Sequence, residues 1–110
     1  MYKILTLNNI SPVGLEKFPT DLYQISDDET SPDAIILRSF KMHDMSIPDS
    51  LKAVGRAGAG VNNIPLDAMS KAGIPVFNAP GANANAVKEL VIASLFLAAR
   101  NISEAIKYTE

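Results

Sequence analysis

The chain has no cysteine, no tryptophan, one histidine and few aromatic side chains. Without cysteine there is no disulfide framework, no thiolate metal site and no cysteine nucleophile, a usage that fits a reducing compartment and makes the cytoplasm the default location. The lone histidine, His43, lies in a polar stretch before an apolar run and reads as a surface residue. It offers neither a metal site nor a strong case for acid–base catalysis. Nor is there an excess of charge of one sign. With Lys+Arg at 10, Asp+Glu at 12 and a net charge of −2, no positive field exists to hold a nucleic acid or an anionic membrane. Long hydrophobic runs are missing too. VIASLFLAA (91–99) falls far below the ~20 residues that span a bilayer, and the start MYKILTLNN turns polar too early for a signal peptide. The two sequons at Asn9 and Asn101 are accordingly expected to carry no glycan. A soluble protein with no nucleic-acid and no membrane partner is expected.

What is present is an alternation of short apolar runs with helix-forming segments, punctuated by turn residues. A chain of 110 residues suits one compact domain. YKILTL (2–7), LYQIS (22–26), DAIILRS (33–39), AVGRA (53–57) and PVFNA (75–79) read as five strands. SPVGLEKF (11–18), with Ser11 as cap and Pro12 in the first turn, and PLDAMSKAG (65–73), opened by Pro65 and closed by Gly73, read as helices. From Asn85 to about Arg100 no breaker interrupts a run of strong helix formers, which predicts one long helix, and ISEAIKYTE begins another. Strands that are apolar throughout and alternate with helices belong in parallel sheets covered on both faces. The expected fold class is therefore α/β, a doubly wound, flavodoxin-like open parallel sheet of about five strands with helices on both faces. In such sheets ligands sit outside the carboxyl ends of the strands. That directs attention to Arg38-Ser39, to residues 56–63 and to residues 78–85.

The stretch VGRAGAGVNNI (54–64) invites a dinucleotide reading, which fails on two counts. A G-x-G-x-x-G fingerprint has glycine where Asn63 stands, and the acidic residue due about 20 positions later is replaced by Asn78-Ala79-Pro80. No P-loop occurs either. What remains is a glycine-rich turn whose successive N–H groups suit a carboxylate or phosphate, with Arg38 and Arg56 leaving their strands at the same edge. Composition alone leaves a second reading open, a tight turn between solvated arginines. If Gly60 takes a positive φ, Gly60→Val is expected to cost both stability and substrate binding. A phosphate-accepting receiver domain would need an aspartate where Leu37-Arg38-Ser39 stands, and a flavodoxin would need more hydroxyls than LNNISPVG supplies.

The run GRAGAGVNNIPLDAMSKAGIPVFNAPGANANAVKELVIASLFLAAR, preceded by IILRS, resembles the N-terminal substrate domain of the D-isomer-specific 2-hydroxyacid dehydrogenases, most specifically over residues 54–100. The likeness is greatest to the branch that oxidises 3-phosphoglycerate for serine synthesis. The resemblance implies an NAD-dependent oxidoreductase acting on a small 2-hydroxy or 2-oxo acid anion. It also implies that residues 1–100 are the N-terminal part of the substrate domain, with 101–110 starting the connection to an NAD-binding domain outside this chain. The fingerprint for NAD and the catalytic Arg, Glu and His belong to that other domain in the family, so no catalytic residue is expected here and the chain alone is expected to be inactive. Carried over by position, Arg38, Ser39, Arg56, Ala59, Gly60, Val61 and Asn83 are the implied substrate contacts. Ala59 and Val87 are the implied apolar contacts to the nicotinamide side of NAD. A glyoxylate or hydroxypyruvate reductase, and a non-catalytic regulatory relative, remain alternatives.

Three positions depart from the family's pattern: Asn62 where Asp is frequent, Lys88 where Ala is usual, and Ala59 where Thr or a larger residue is common. In the long helix, Val87, Leu90, Val91, Ile92, Leu95, Phe96 and Leu97 cover more than one face at 100° per residue, more than packing on a single sheet requires. A homodimer formed through residues 87–97 is therefore expected.

Overall fold

The structure, a computed structural model, describes residues 1–110 and divides into two compact units, residues 1–80 and residues 81–110. The first unit is built on five strands, β1 (Tyr2–Leu7), β2 (Tyr23–Ser26), β3 (Ala34–Leu37), β4 (Ala53–Arg56) and β5 (Val76–Phe77). All pairings are parallel and the spatial order is β2-β1-β3-β4-β5. Because β2 lies to one side of β1 and β3 to the other, the direction of winding reverses between β1 and β3. That switch point is where an open α/β sheet leaves a crevice at its carboxyl edge.

Register sorts the strand residues into two faces. Leu5, Ile35, Leu37 and Val54 share one face, where they pack with Met42, Leu51, Ile64, Met69 and Ile74 into the buried core. The helix α2 (Leu66–Lys71) supplies Met69 to that core. Its end follows from the chemistry of its last turn. Gly73 takes φ +71°, and the Ile74 N–H donates to the Met69 carbonyl at 2.9 Å, so the helix closes in a left-handed cap that returns the chain towards β5. Fully burying Ile35, Leu37, Val54 and Met69 contributes on the order of 1.5–3 kcal/mol each.

The other face carries Tyr2, Ile4, Ala34, Ile36, Ala53, Gly55 and Phe77, and these line a groove of about 550 Å³ together with Phe18 and Tyr23. The short helix α1 (Pro12–Leu15) leads to Phe18, whose ring meets Tyr23 edge-on at 5.2 Å between centroids. The helix is a single turn. Pro12 occupies its first turn as expected, but Ser11 makes no side-chain cap bond, and the helix expected over 11–18 ends after Leu15, where the chain continues in turns as far as Phe18.

The second unit holds α3 (Ala84–Ala99) and α4 (Ile102–Thr109), joined at Asn101 in a left-handed conformation with φ 50°. No helix is long and apolar enough to cross a membrane.

At the amino edge of the sheet Asp33 ties three strands together. Its backbone N–H donates to the Lys3 carbonyl, its carbonyl accepts from Lys52 N–H, and its carboxylate accepts from the Lys3 N–H and the Lys52 ammonium. The Lys52 hydrogen bond, followed by that from Lys3, holds the Asp33 carboxyl below its ordinary 3.8. The reciprocal pairing holds Lys52 above its ordinary 10.5. A depressed carboxyl stabilises the fold above its unfolded value and loses that contribution as pH falls through the folded one. A raised ammonium stabilises below its unfolded value and loses that contribution as pH rises through the folded one. The wild-type denaturation midpoint should therefore fall more steeply on acidification below about pH 4 than that of Asp33→Asn. Equal slopes in parallel urea titrations would show that the Lys52–Asp33 pair carries no stability.

Candidate functional site

β3 and β4 deliver Arg38, Ser39 and Arg56 to the carboxyl edge, and the chain after β4 runs through Ala57-Gly58-Ala59-Gly60-Val61-Asn62-Asn63 without regular structure. In that loop every carbonyl from residue 58 to residue 62 is engaged. Gly58 O accepts from Ala79 N–H at 2.9 Å, Ala59 O from the Asn78 side-chain amide at 2.8 Å, and Val61 O from Ile64 N–H at 3.1 Å. Gly60 O accepts from Arg56 Nη1, and Asn62 O lies 2.7 Å from His43 Nε2. A carbonyl only accepts, so His43 must carry a proton on Nε2. The N–H groups of the same five residues have no acceptor within the chain. Five successive donors are thus free while all five acceptors are held, the distribution of partial charge that an anion-binding backbone segment requires.

Of the two glycines of this turn, residue 58 is the one where space is tight. Expectation placed Gly60 at positive φ; instead the positive-φ residues are Asn8, Gly73, Gly81 and Asn101, and Gly60 is not among them. A Cβ on Gly60 would stand 3.4 Å from Arg56 Nη1 and 3.5 Å from Asn62 Oδ1. On Gly58 it would stand 3.1 Å from Arg56 Nη1 and 3.2 Å from Cζ. The Arg56 guanidinium lies against Gly58 and spends Nε on Arg38 O, at 2.8 Å, and Nη1 on Gly60 O. It is a strut between the two loops, with Nη2 left over.

Arg38 and Ser39 sit on the neighbouring arch. The Arg38 side chain is exposed and Nη1 lies 3.4 Å from Asn9 O. Ser39 is exposed, and its N–H and hydroxyl make no hydrogen bond within the chain. Arg38, Ser39, Arg56, Ala59, Gly60 and Val61 therefore share the carboxyl edge of the first unit. Asn83, at the start of α3, and Val87, on its first turns, belong to the second unit and are both exposed. Asn83 makes no side-chain cap bond.

Four residues for which no role at the site is expected from sequence hold this edge. Asn8 and Asn63 grip the Arg38–Phe40 arch, while His43 and Asn78 tether the glycine loop. Asn63 is buried, with Oδ1 unpartnered, an orphan acceptor that costs about 1–3 kcal/mol. No group of His, Cys, Asp or Glu is arranged to hold a metal ion.

A methyl group at residue 58 must displace the Arg56 guanidinium, whereas one at Gly14 meets nothing within 4 Å. Gly58→Ala should destabilise by about 1–3 kcal/mol in urea unfolding, as overpacking does, while Gly14→Ala should be neutral or stabilise by up to about 1 kcal/mol. Equal midpoints for the two variants would mean that Arg56 is not fixed against the loop.

The comparisons with known proteins agree with this architecture. Residues 18–109 match the family model described as D-isomer specific 2-hydroxyacid dehydrogenase, catalytic domain. D-3-phosphoglycerate dehydrogenase of Synechocystis is 35% identical over 120 aligned positions, covering 97% of this chain and 22% of that enzyme. The Archaeoglobus fulgidus enzyme of the same name is 42% identical over 76 positions, 66% of this chain and 14% of its own length. That of Escherichia coli K12 is 49% identical over 57 positions, 52% of this chain and 14% of the enzyme. The chain spans at most about a fifth of the length of these relatives. With the family model matched over most of its length and the parallel sheet in place, the chain belongs to the D-isomer-specific 2-hydroxyacid dehydrogenases and carries sequence of their catalytic domain.

Proposed function

We propose that these residues bind the anion of a small 2-hydroxy acid for an NAD-dependent dehydrogenase, with D-3-phosphoglycerate as the acid. One observation carries the reading: the Gly58–Asn62 segment has every carbonyl engaged and every N–H free. The free amides of Ala59, Gly60 and Val61 suit a carboxylate. Ser39 adds a hydroxyl and an N–H, and Arg38 adds a guanidinium that can meet a carboxylate or phosphate in a bidentate way. Arg56 keeps Nη2 for the same anion after bracing the loop. Asn83 is assigned to the substrate by its place in the family pattern. The name that the relatives carry supports 3-phosphoglycerate.

NAD, when bound, accepts the hydride. The residues present do not fit its pyrophosphate: the glycine turn lacks the third glycine, and α2 begins at Leu66, six residues after Gly60, rather than directly at the turn. In this proposal Ala59 and Val87 give the nicotinamide side only an apolar border. Residues 1–100 form the N-terminal part of a substrate domain, and 101–110 begin the connection to the domain that binds NAD. The enzyme works in the cytoplasm, in serine synthesis, with neither nucleic acid nor membrane as partner.

In the complete dehydrogenase, Arg38→Ala should raise KM for 3-phosphoglycerate roughly tenfold to a few hundredfold, the loss of a charge-assisted pair of ~1.5–3 kcal/mol. The constant for NAD should change little. Steady-state kinetics with both substrates varied would decide it, and an unchanged KM for the acid would return Arg38 to the solvated surface.

The proposal includes a homodimer. No residue of α3 is buried; Leu90, Leu95 and Phe96 are each more than 60% exposed. An apolar helix surface of this extent associates with another. Leu95→Glu or Phe96→Glu should convert the dimer to monomer in analytical ultracentrifugation, and a wild-type monomer at high concentration would refute the dimer.

A further inference from the structure

The arch between β3 and the 3₁₀ turn at Met42–Asp44 is held from both sides by the amides of two asparagines, 55 positions apart in sequence. Asn8 Oδ1 accepts the N–H of Arg38 at 3.2 Å and that of Phe40 at 2.8 Å. Asn63 Nδ2 donates to the carbonyl of Arg38 at 2.9 Å and to that of Phe40 at 2.8 Å. The residues on either side of Ser39 are therefore fixed at both their backbone groups. Ser39 between them has its own N–H, carbonyl and hydroxyl free of bonds within the chain. Such an arrangement immobilises a peptide segment while leaving only its middle residue with free backbone groups.

Each asparagine is suited to its place. Asn8 follows β1 at φ 72°, a left-handed conformation that asparagine tolerates better than most residues, and its side chain reaches the neighbouring strand's exit. Asn63 is fixed in orientation because turning its amide over would set Oδ1 against two carbonyls. Its Oδ1 is left buried without a partner, so the two donated bonds are kept at the expense of that acceptor. A further bond couples this arch to the glycine loop, since Arg38 O also accepts from Arg56 Nε.

We propose that Asn8 and Asn63 are positioning residues which fix the Arg38–Phe40 arch so that Ser39 and the Arg38 guanidinium are set for the substrate anion before it arrives. The positioning role rests on the anion-binding reading given above, whereas the clamp itself does not. Pre-set donors bind more tightly because the cost of ordering them is met in folding rather than in binding.

The test uses the ¹⁵N-labelled 110-residue chain with 3-phosphoglycerate as the probe. Asn8→Gly keeps the left-handed backbone and removes the acceptor. It should speed hydrogen exchange at the Arg38 and Phe40 amides about tenfold or more, leaving unchanged the Val54 amide, which is bonded to Pro75 O in the sheet. Asn8→Asp, which retains the acceptor, should restore slow exchange. The dissociation constant for 3-phosphoglycerate, followed through the Ser39 and Ala59–Val61 amide shifts, should rise about fivefold to fiftyfold in Asn8→Gly. Asn63→Leu, which keeps the branched shape and removes both donors, should weaken binding similarly. Unchanged exchange at Arg38 and Phe40 in Asn8→Gly would overturn the clamp. Faster exchange with an unaltered dissociation constant would overturn the positioning role. If the wild-type amides do not respond to 3-phosphoglycerate at all, the anion-site reading fails and the positioning role with it, while the exchange measurement still decides the clamp.

Discussion

A backbone segment can present its N–H groups to a ligand only if its carbonyls are turned elsewhere, and that constraint organises the carboxyl edge of this sheet. Between Gly58 and Asn62 the five carbonyls are taken by five donors: two backbone amides, an asparagine, an arginine and a histidine. Those donors come from both directions along the chain. Ala79 and Asn78 follow β5, Arg56 ends β4, His43 lies in the 3₁₀ turn after β3, and Ile64 follows the loop itself. The loop is thus a product of the whole first unit. Its geometry depends on the strand order, because only with β3, β4 and β5 adjacent do their exits converge on it.

On the proposed reading the principal donors are backbone amides, and this has a consequence for specificity. Main-chain N–H groups recognise a feature that every 2-hydroxy acid shares, its carboxylate, and cannot read the rest of the molecule. On the proposed reading, discrimination falls to the side chains around the loop, to Arg38 and Ser39 on one arch and to what remains free on Arg56. Arg56 is the less adaptable of the arginines, since two of its nitrogens already brace Arg38 O and Gly60 O. Its planar fork suits that bracing, where a lysine would offer a point charge without fixed directions.

Much of the fold is legible in the sequence because it is written locally. Five apolar runs, the Pro65 and Gly73 that bound α2, and the unbroken helix-forming stretch before Arg100 fall within a few residues of the observed elements. α1 is the exception: Ser11 and Pro12 announce a helix start, yet Ser11 makes no cap bond and the helix stops after Leu15. At the candidate site the residues that carry exposed chemistry, Arg38, Ser39 and the glycine turn, stand out by type and by position after their strands. Those that hold them do not. Asn8, His43 and Asn78 act through bonds to partners 19 or more residues away, and no spacing announces such a bond. Asn63 was visible only as a defect in a glycine fingerprint, although its buried amide joins the two loops together with Arg56.

The glycines show how the same letters serve different physics. A crowded G-x-G turn suggests left-handed backbone, but Gly60 lies outside the positive-φ set, and the space at residues 58 and 60 is occupied by a guanidinium and an asparagine side chain. At residue 58 glycine leaves room for the arginine that lies across the turn. The left-handed position that matters at this edge belongs instead to Asn8, where a residue with a side chain is required, since glycine would adopt the backbone but could accept neither the Arg38 nor the Phe40 N–H. Permissive backbone and bonding side chain are thus combined in one residue at the switch point between β1 and β3.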